Sequence, residues 1–143
     1  MEKIMDIKEI AEKLYTLDFE YENGFSRLQE EFSVKGEDCV LMWLYRIGTP
    51  LYSGDLAKKL SLTSGRIANI LRTLEQKKFV SRSTDVNDGR KVLVTITTAG
   101  KKHIEKINKR NIAKRAEILD ELGEEDAAEY LRITEKILQV LNS

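Results

Sequence analysis

From Ile4 to Phe32 the apolar residues Ile7, Ile10, Leu14, Leu17, Tyr21, Phe25 and Leu28 recur every three or four positions, a period that predicts one long amphipathic helix. Gly36 breaks the pattern. Val40, Leu41, Trp43, Leu44 and Ile47 then read as a short, strongly apolar helix closing at Gly48, which belongs in a core. Pro50 lies in the connection Gly48-Thr-Pro-Leu-Tyr, where its fixed φ and missing N–H suit a turn or a short edge strand. Ser53 is placed to cap a helix carrying Leu56, Ala57 and Leu60. Ser61-Leu-Thr63 supplies a short turn, and Thr63 caps a second helix whose apolar face is Ile67, Ile70, Leu71 and Leu74. Two apolar runs follow, Phe79 to Arg82 and Val92 to Thr97. They read as a hairpin around Asp88-Gly89, where glycine takes φ > 0 without strain. From Ala99 a long helix carries Ile104, Ile107, Ile112, Leu119 and Leu122 as far as Gly123. A last helix opens on Glu124-Glu-Asp and is expected to bury Tyr130, Leu131, Ile137, Leu138 and Leu141.

Helix, turn, helix, strand, turn, strand is the order of a winged helix-turn-helix. The expected class is mainly α with a small β-wing (α+β), the winged region spanning residues 33–100 of a single unit, 1–143. Helices at 1–32 and 101–143 are too long to cover their own apolar stripes, which makes them candidates for pairing with a second copy. The winged region offers two probes: a helix that fits the major groove of DNA and a hairpin tip narrow enough for the minor groove.

Charge sharpens this picture. The chain as a whole is neutral, with 24 basic and 24 acidic side chains, yet residues 53–115 hold 16 Lys and Arg against 5 Asp and Glu. That cationic block sits between acidic ends and coincides with the groove-reading elements, an electrostatic footprint for a polyanion. The alternative is a solvated helix surface rich in lysine. With 41% apolar residues among 143, there is enough for one core. Only Cys39 carries a thiol, so no intrachain disulfide forms, and no apolar run reaches the roughly 18 residues of a membrane span. The expectation is a cytoplasmic protein.

Among the residues off the apolar faces, Arg66 and Asn69 have reach and donor patterns suited to guanine or adenine edges. Thr63 and Ser64, at a helix start, are suited to phosphate. Arg72 is a candidate for phosphate, and Ser53 and Thr73 complete the polar surface. Catalysis finds little support: His103 is the only histidine, in a lysine-rich stretch without a serine or cysteine at a telling spacing. One Cys39 and one His103 make a poor metal set, and Cys39 reads as a small apolar residue near the Val40 to Trp43 core. No cofactor is expected.

Asp85-x-x-Asp88-x-Arg90 followed by Val92-x-Val94-Thr95-x-Thr97-x-x-Gly100, together with Leu56-Ala57, Leu62 through Arg66, Leu74-Glu75, Val80 and Arg82, resembles the MarR family of bacterial transcription regulators. The resemblance covers nearly the whole chain. It implies a homodimer on a pseudo-palindromic operator, more often as a repressor, with Arg90 of each wing probing a minor groove. It further implies that Asp88 orients Arg90, with Lys91 nearby for phosphate. It also implies a small aromatic or lipophilic anion as effector, for which Tyr15, Tyr21, Phe25, Met42, Trp43 and Tyr45 supply candidate surface. The sequence departs from the family at Gly89, where an arginine is common, and at Lys78, where glycine often follows the reading helix. A winged-helix protein-interaction module and a sequence-indifferent architectural DNA binder are the alternatives.

Overall fold

Gly48, at φ +78°, closes the first buried helix of the winged region, α2 (Glu37–Ile47), and turns the chain into β1 (Leu51–Tyr52). The computed structural model describes residues 4–21, 30, 33–34 and 36–143, and the chain falls into two units, residues 1–33 and 34–143. In the first unit, α1 (Ile7–Glu20) opens with a reciprocal cap. The Glu9 amide donates to Asp6 Oδ1 at 2.8 Å, and the Asp6 amide donates to Glu9 Oε2 at 3.3 Å. The helix ends at Glu20 with Tyr21 in a non-helical conformation, so the single helix expected from Ile4 to Phe32 does not run through unbroken. Phe25, Leu28 and Phe32 of that expectation lie outside the described residues.

In the second unit, β1 leads into α3 (Ser53–Lys59) and α4 (Ser64–Gln76). The hairpin β2 (Val80–Thr84) and β3 (Val92–Ile96) follows, then α5 (Thr98–Leu122) and α6 (Glu124–Leu141). The sheet is antiparallel in the order β1-β3-β2, with β2 and β3 in register from Val80 opposite Ile96 to Thr84 opposite Val92. The two-residue β1 is the edge strand expected after Pro50. Each element of this unit up to the start of α5 sends side chains to one core, whose fully buried members include Leu41, Leu44, Leu56, Leu71, Leu74, Val94 and Ile104. This core fixes α4 and the hairpin relative to one another.

One of the two expectations about caps needs correction. Ser53 is the first residue of α3 rather than its cap; Tyr52 holds that place and no side chain bonds the helix start. Thr63 does cap α4, accepting from the Arg66 amide at 3.1 Å. Within a single chain, α6 leaves its apolar face uncovered. None of its residues is buried, and Tyr130, Leu131, Ile137, Leu138 and Leu141 are exposed, because its contacts within the unit run to α5 alone among the stronger helix pairings.

Both reading helices end in the same way. After α4 the Phe79 amide reaches the Leu74 carbonyl at 2.9 Å and the Lys78 amide the Glu75 carbonyl at 2.9 Å. After α3 the Leu62 amide reaches Ala57 at 2.9 Å and the Ser61 amide Lys58 at 3.2 Å. These are Schellman caps, whose turning residue is left-handed: Lys78 at φ +65° and Ser61 at φ +53°. A side chain with a Cβ is strained there. Lys78→Gly should therefore raise unfolding stability by up to about 1 kcal/mol, the left-handed cost of an L-residue being partly offset by the freer unfolded glycine. Urea unfolding of parent and variant measures it; a loss of stability contradicts the assignment.

Candidate nucleic-acid interface

The buried face of α4 is Ile67, Ile70, Leu71 and Leu74, which leaves Ser64, Gly65, Arg66, Asn69 and Arg72 exposed and Thr73 half-buried. Arg72 Nη2 donates to Asn69 Oδ1, and the Thr73 hydroxyl donates to the Asn69 carbonyl at 3.1 Å. Arg66, Asn69 and Thr73 border an open cleft of about 570 Å³, shared with Asp38, Lys77 and His103. Lys77 is tied to Glu37 at 2.7 Å, a contact that raises the lysine pKa through its hydrogen bond and the glutamate charge. Arg82 on β2 donates to Glu75 at 3.0 Å, holding that carboxyl below its ordinary value and fastening the strand to the end of α4. His103 stacks on Phe79 with ring centroids 4.5 Å apart, and its Nε2 lies 3.0 Å from Asp38 Oδ1. These two contacts join α5 to α2 and to the residue before β2.

The wing is organised by Asp85. Its Oδ1 accepts from the amides of Asn87 at 2.8 Å and Asp88 at 3.0 Å, an aspartate turn, while its Oδ2 accepts the Tyr52 hydroxyl at 2.5 Å. The wing is thereby bonded to the residue that starts α3. Downstream, Asp88 Oδ1 accepts from both the Arg90 amide at 3.0 Å and Arg90 Nε at 3.3 Å, and the Lys91 amide closes the turn on the Asp88 carbonyl at 3.0 Å. Gly89 sits between them without a positive φ, so the hairpin turn expected at Asp88-Gly89 is built instead by two aspartate side chains. The Arg90 side chain is 93% exposed and projects from the tip. Lys91 Nζ lies 5.4 Å from the Tyr52 ring centroid. Ser53, Arg90 and Lys91 border one cleft of about 260 Å³.

The sequence thus brought attention to Asp88 and Arg90, and to Glu75 and Arg82 as parts of a resemblance, but not to Tyr52, the Glu75–Arg82 pairing or the anchoring role of Asp85. An aspartate two and three residues before turn amides was a legible signal; the tyrosine, 33 positions away, was not. The Tyr52 hydrogen bond lowers the Asp85 pKa first, with the Asn87 and Asp88 amides adding to it, and the same pair raises that of Tyr52. Because the folded value lies below the ordinary 3.8, the anchor's contribution is present above that pH and is lost as pH falls through the folded value. At neutral pH, Asp85→Ala should speed hydrogen exchange at the Asn87 and Asp88 amides while the α4 amides stay protected. Unchanged exchange at both wing amides contradicts the anchor.

Of the candidate effector residues, Met42, Trp43 and Tyr45 lie on α2, packed against the core, and Tyr15 and Tyr21 belong to the first unit. Phe25 lies outside the described residues. Among the described residues, no group of three or more His, Cys, Asp or Glu side chains is placed to hold a metal, and no helix is long and apolar enough to cross a membrane. Cys39 is half-buried, and burial pushes its thiol pKa up, away from thiolate reactivity.

A two-helix unit packed on a three-stranded sheet, with one helix face open and an arginine-tipped hairpin beside it, defines the winged helix-turn-helix class. Residues 39–92 match the sequence model of the MarR family. The HTH-type transcriptional regulator YcgE of Bacillus subtilis is 40% identical over 55 residues, which are 38% of this chain and 36% of that protein. The HTH-type transcriptional repressor YetL of the same organism is 25% identical over 88 residues, 62% of this chain and 53% of that one. These matches span about a third to a half of the curated relatives. Solved structures match over almost the whole length. A MarR family protein from Bacillus stearothermophilus superposes with a TM-score of 0.73 at 21% identity, covering 98% of this chain and 100% of that one. A mutant of Staphylococcus aureus MepR bound to an oligodeoxyribonucleotide gives 0.57 at 25% identity, covering 92% and 97%.

Proposed function

We propose that this chain is a cytoplasmic transcription regulator, without enzymatic activity, that binds a pseudo-palindromic DNA operator as a homodimer and acts as a ligand-responsive repressor. The observation that carries the reading is the joint exposure, on one rigid core, of the Arg66–Asn69–Arg72 face of α4 and the Arg90 tip of the wing. An α-helix of this kind fills a major groove, and an arginine on a narrow hairpin fits the minor groove beside it. Ser53, Thr63, Ser64 and Lys91 flank these two probes at positions suited to phosphate. Asp88 takes the role of holding Arg90. The oligodeoxyribonucleotide-bound MepR mutant of similar fold supports the same assignment.

The open cleft of about 560 Å³ lined by Tyr45 of α2 and by Lys102, Glu105, Lys106, Lys109 and Ile112 of α5 supports a small aromatic or lipophilic anion, its three lysines outnumbering the one glutamate. The Tyr45 hydroxyl donates to Glu105 at 3.2 Å, and the nearby glutamate charge raises its pKa. Selection from a random duplex library, followed by titration of the enriched duplex across a salt series, tests the function. An inverted-repeat consensus with a steep salt dependence is expected. Tight binding with no consensus identifies an architectural binder, and no binding at low salt leaves a protein-interaction module.

A further inference from the structure

The Arg72–Asn69 contact constrains what α4 reads. Arginine has donors and no acceptor, so the amide atom that meets it is the oxygen, and the Asn69 NH₂ group is turned the other way. Both side chains are exposed on the side of α4 opposite Ile67, Ile70 and Leu71. The half-buried Thr73 hydroxyl spends its proton on the Asn69 backbone carbonyl, so only its oxygen lone pairs remain. Between Asn69 and Arg72 themselves, the face offered is one of N–H groups, with the guanidinium on the one side-chain acceptor of the pair.

Resting on the DNA-binding reading above, we propose that Arg72 is a positioning residue that holds Asn69 by its oxygen with the NH₂ group turned away from it, so that α4 selects guanine at the base Asn69 meets over adenine and cytosine. A free asparagine takes adenine in bidentate fashion, donating to N7 and accepting from N6–H₂. With the guanidinium held on Oδ1, the adenine N6 or cytosine N4 donor would have to use that oxygen's remaining lone pair directly beside a cation and its N–H groups, which disfavours both bases. Guanine presents two acceptors, O6 and N7, in the same groove, and thymine O4 is the single-acceptor second choice. Arg72, set against a side chain, then contributes to base choice rather than only to uniform phosphate attraction, the role its sequence position first suggested.

The test compares sequence preference for the full-length parent, Asn69→Ala and Arg72→Ala, selected from one random duplex library at fixed salt. Asn69→Ala identifies the operator position that belongs to this residue by flattening it. At that position the parent should favour guanine over adenine by about tenfold, the lower end expected for one well-placed edge contact. Arg72→Ala should move the preference to adenine by a similar factor, because the freed amide regains its acceptor. Adenine or cytosine at that position in the parent overturns the proposal, as does an Arg72→Ala preference that stays on guanine or simply flattens. A second measurement needs no DNA. The Asn69 side-chain NH₂ resonances of the free protein should shift on Arg72→Ala, and unshifted resonances overturn the pairing itself. If those resonances shift while no duplex is bound by any form, the pair stands but its role in base selection falls together with the DNA-binding reading.

Discussion

Gly100→Ala should lower the stability of this protein more than any other single methyl added to a glycine of the described residues. A Cβ built on Gly100 would lie 2.2 Å from the Phe79 carbonyl oxygen and 2.9 Å from Ile96 Cγ1, in the first turn of α5. The Phe79 carbonyl cannot swing away, because it accepts the Thr97 amide at 3.0 Å, and Thr97 in turn donates to the Lys78 carbonyl at 2.7 Å and caps α5. A backbone conflict inside a network of this kind costs about 3 kcal/mol, at the upper end of overpacking effects. For a chain of this size that corresponds to roughly 6–12 °C in Tm. Gly54→Ala is the matched control: nothing lies within 4 Å of its Cβ position in α3, so helix propensity alone should make it neutral or slightly stabilising. Thermal unfolding of the three proteins checks the pair. Equal Tm values for Gly100→Ala and the parent would show that the α5 start yields where the geometry says it cannot.

The second large effect concerns α6. Leu131 and Leu138 are 59% and 52% exposed, seven residues apart on one face, beside Ile137 and Leu141, which are also exposed. Such a contiguous apolar face on a helix end marks an interface, and a second copy is the occupant the proposed operator symmetry requires. Replacing both leucines with aspartate should leave the winged core folded, since neither contributes to it, while converting a dimer into a monomer by sedimentation. Affinity for a two-half-site operator should then fall on the order of 100-fold or more, because the second reading helix no longer binds as part of one body. A parent that sediments as a monomer, or a double variant that remains dimeric and binds at full strength, removes α6 from the interface.

Much of this architecture was legible from local pattern. The apolar periods of α2, α4 and α5, the Thr63 cap and the hairpin strands each reflect neighbours within a few positions, where period and capping rules act directly. The α6 stripe was legible as apolar, but within one chain it is exposed, since periodicity reports a face and not what covers it. Ser53 failed for a related reason: a serine before an apolar run is a cap only if its backbone is extended, and here Tyr52 is the extended residue. Lys78 shows the reverse case, in which a departure from the family's glycine pointed straight to the left-handed cap found there. Contacts spanning long separations were invisible. Tyr52 to Asp85, His103 to Asp38 and Tyr45 to Glu105 depend on how the core juxtaposes elements, and no spacing rule encodes that.

The two aspartates that shape the wing also set when it acts. Asp85 and Asp88 balance Arg90 and Lys91, so the turn between β2 and β3 is electrically neutral even though an arginine stands at its tip. Long-range attraction toward a polyanion therefore comes from the lysines and arginines of α4 and the first half of α5, which carry no such local compensation in number. On the proposed DNA-binding reading, encounter is then governed by the helices, while the wing contributes after arrival, once Arg90 meets a groove, and sets how long the complex lives rather than how often it forms.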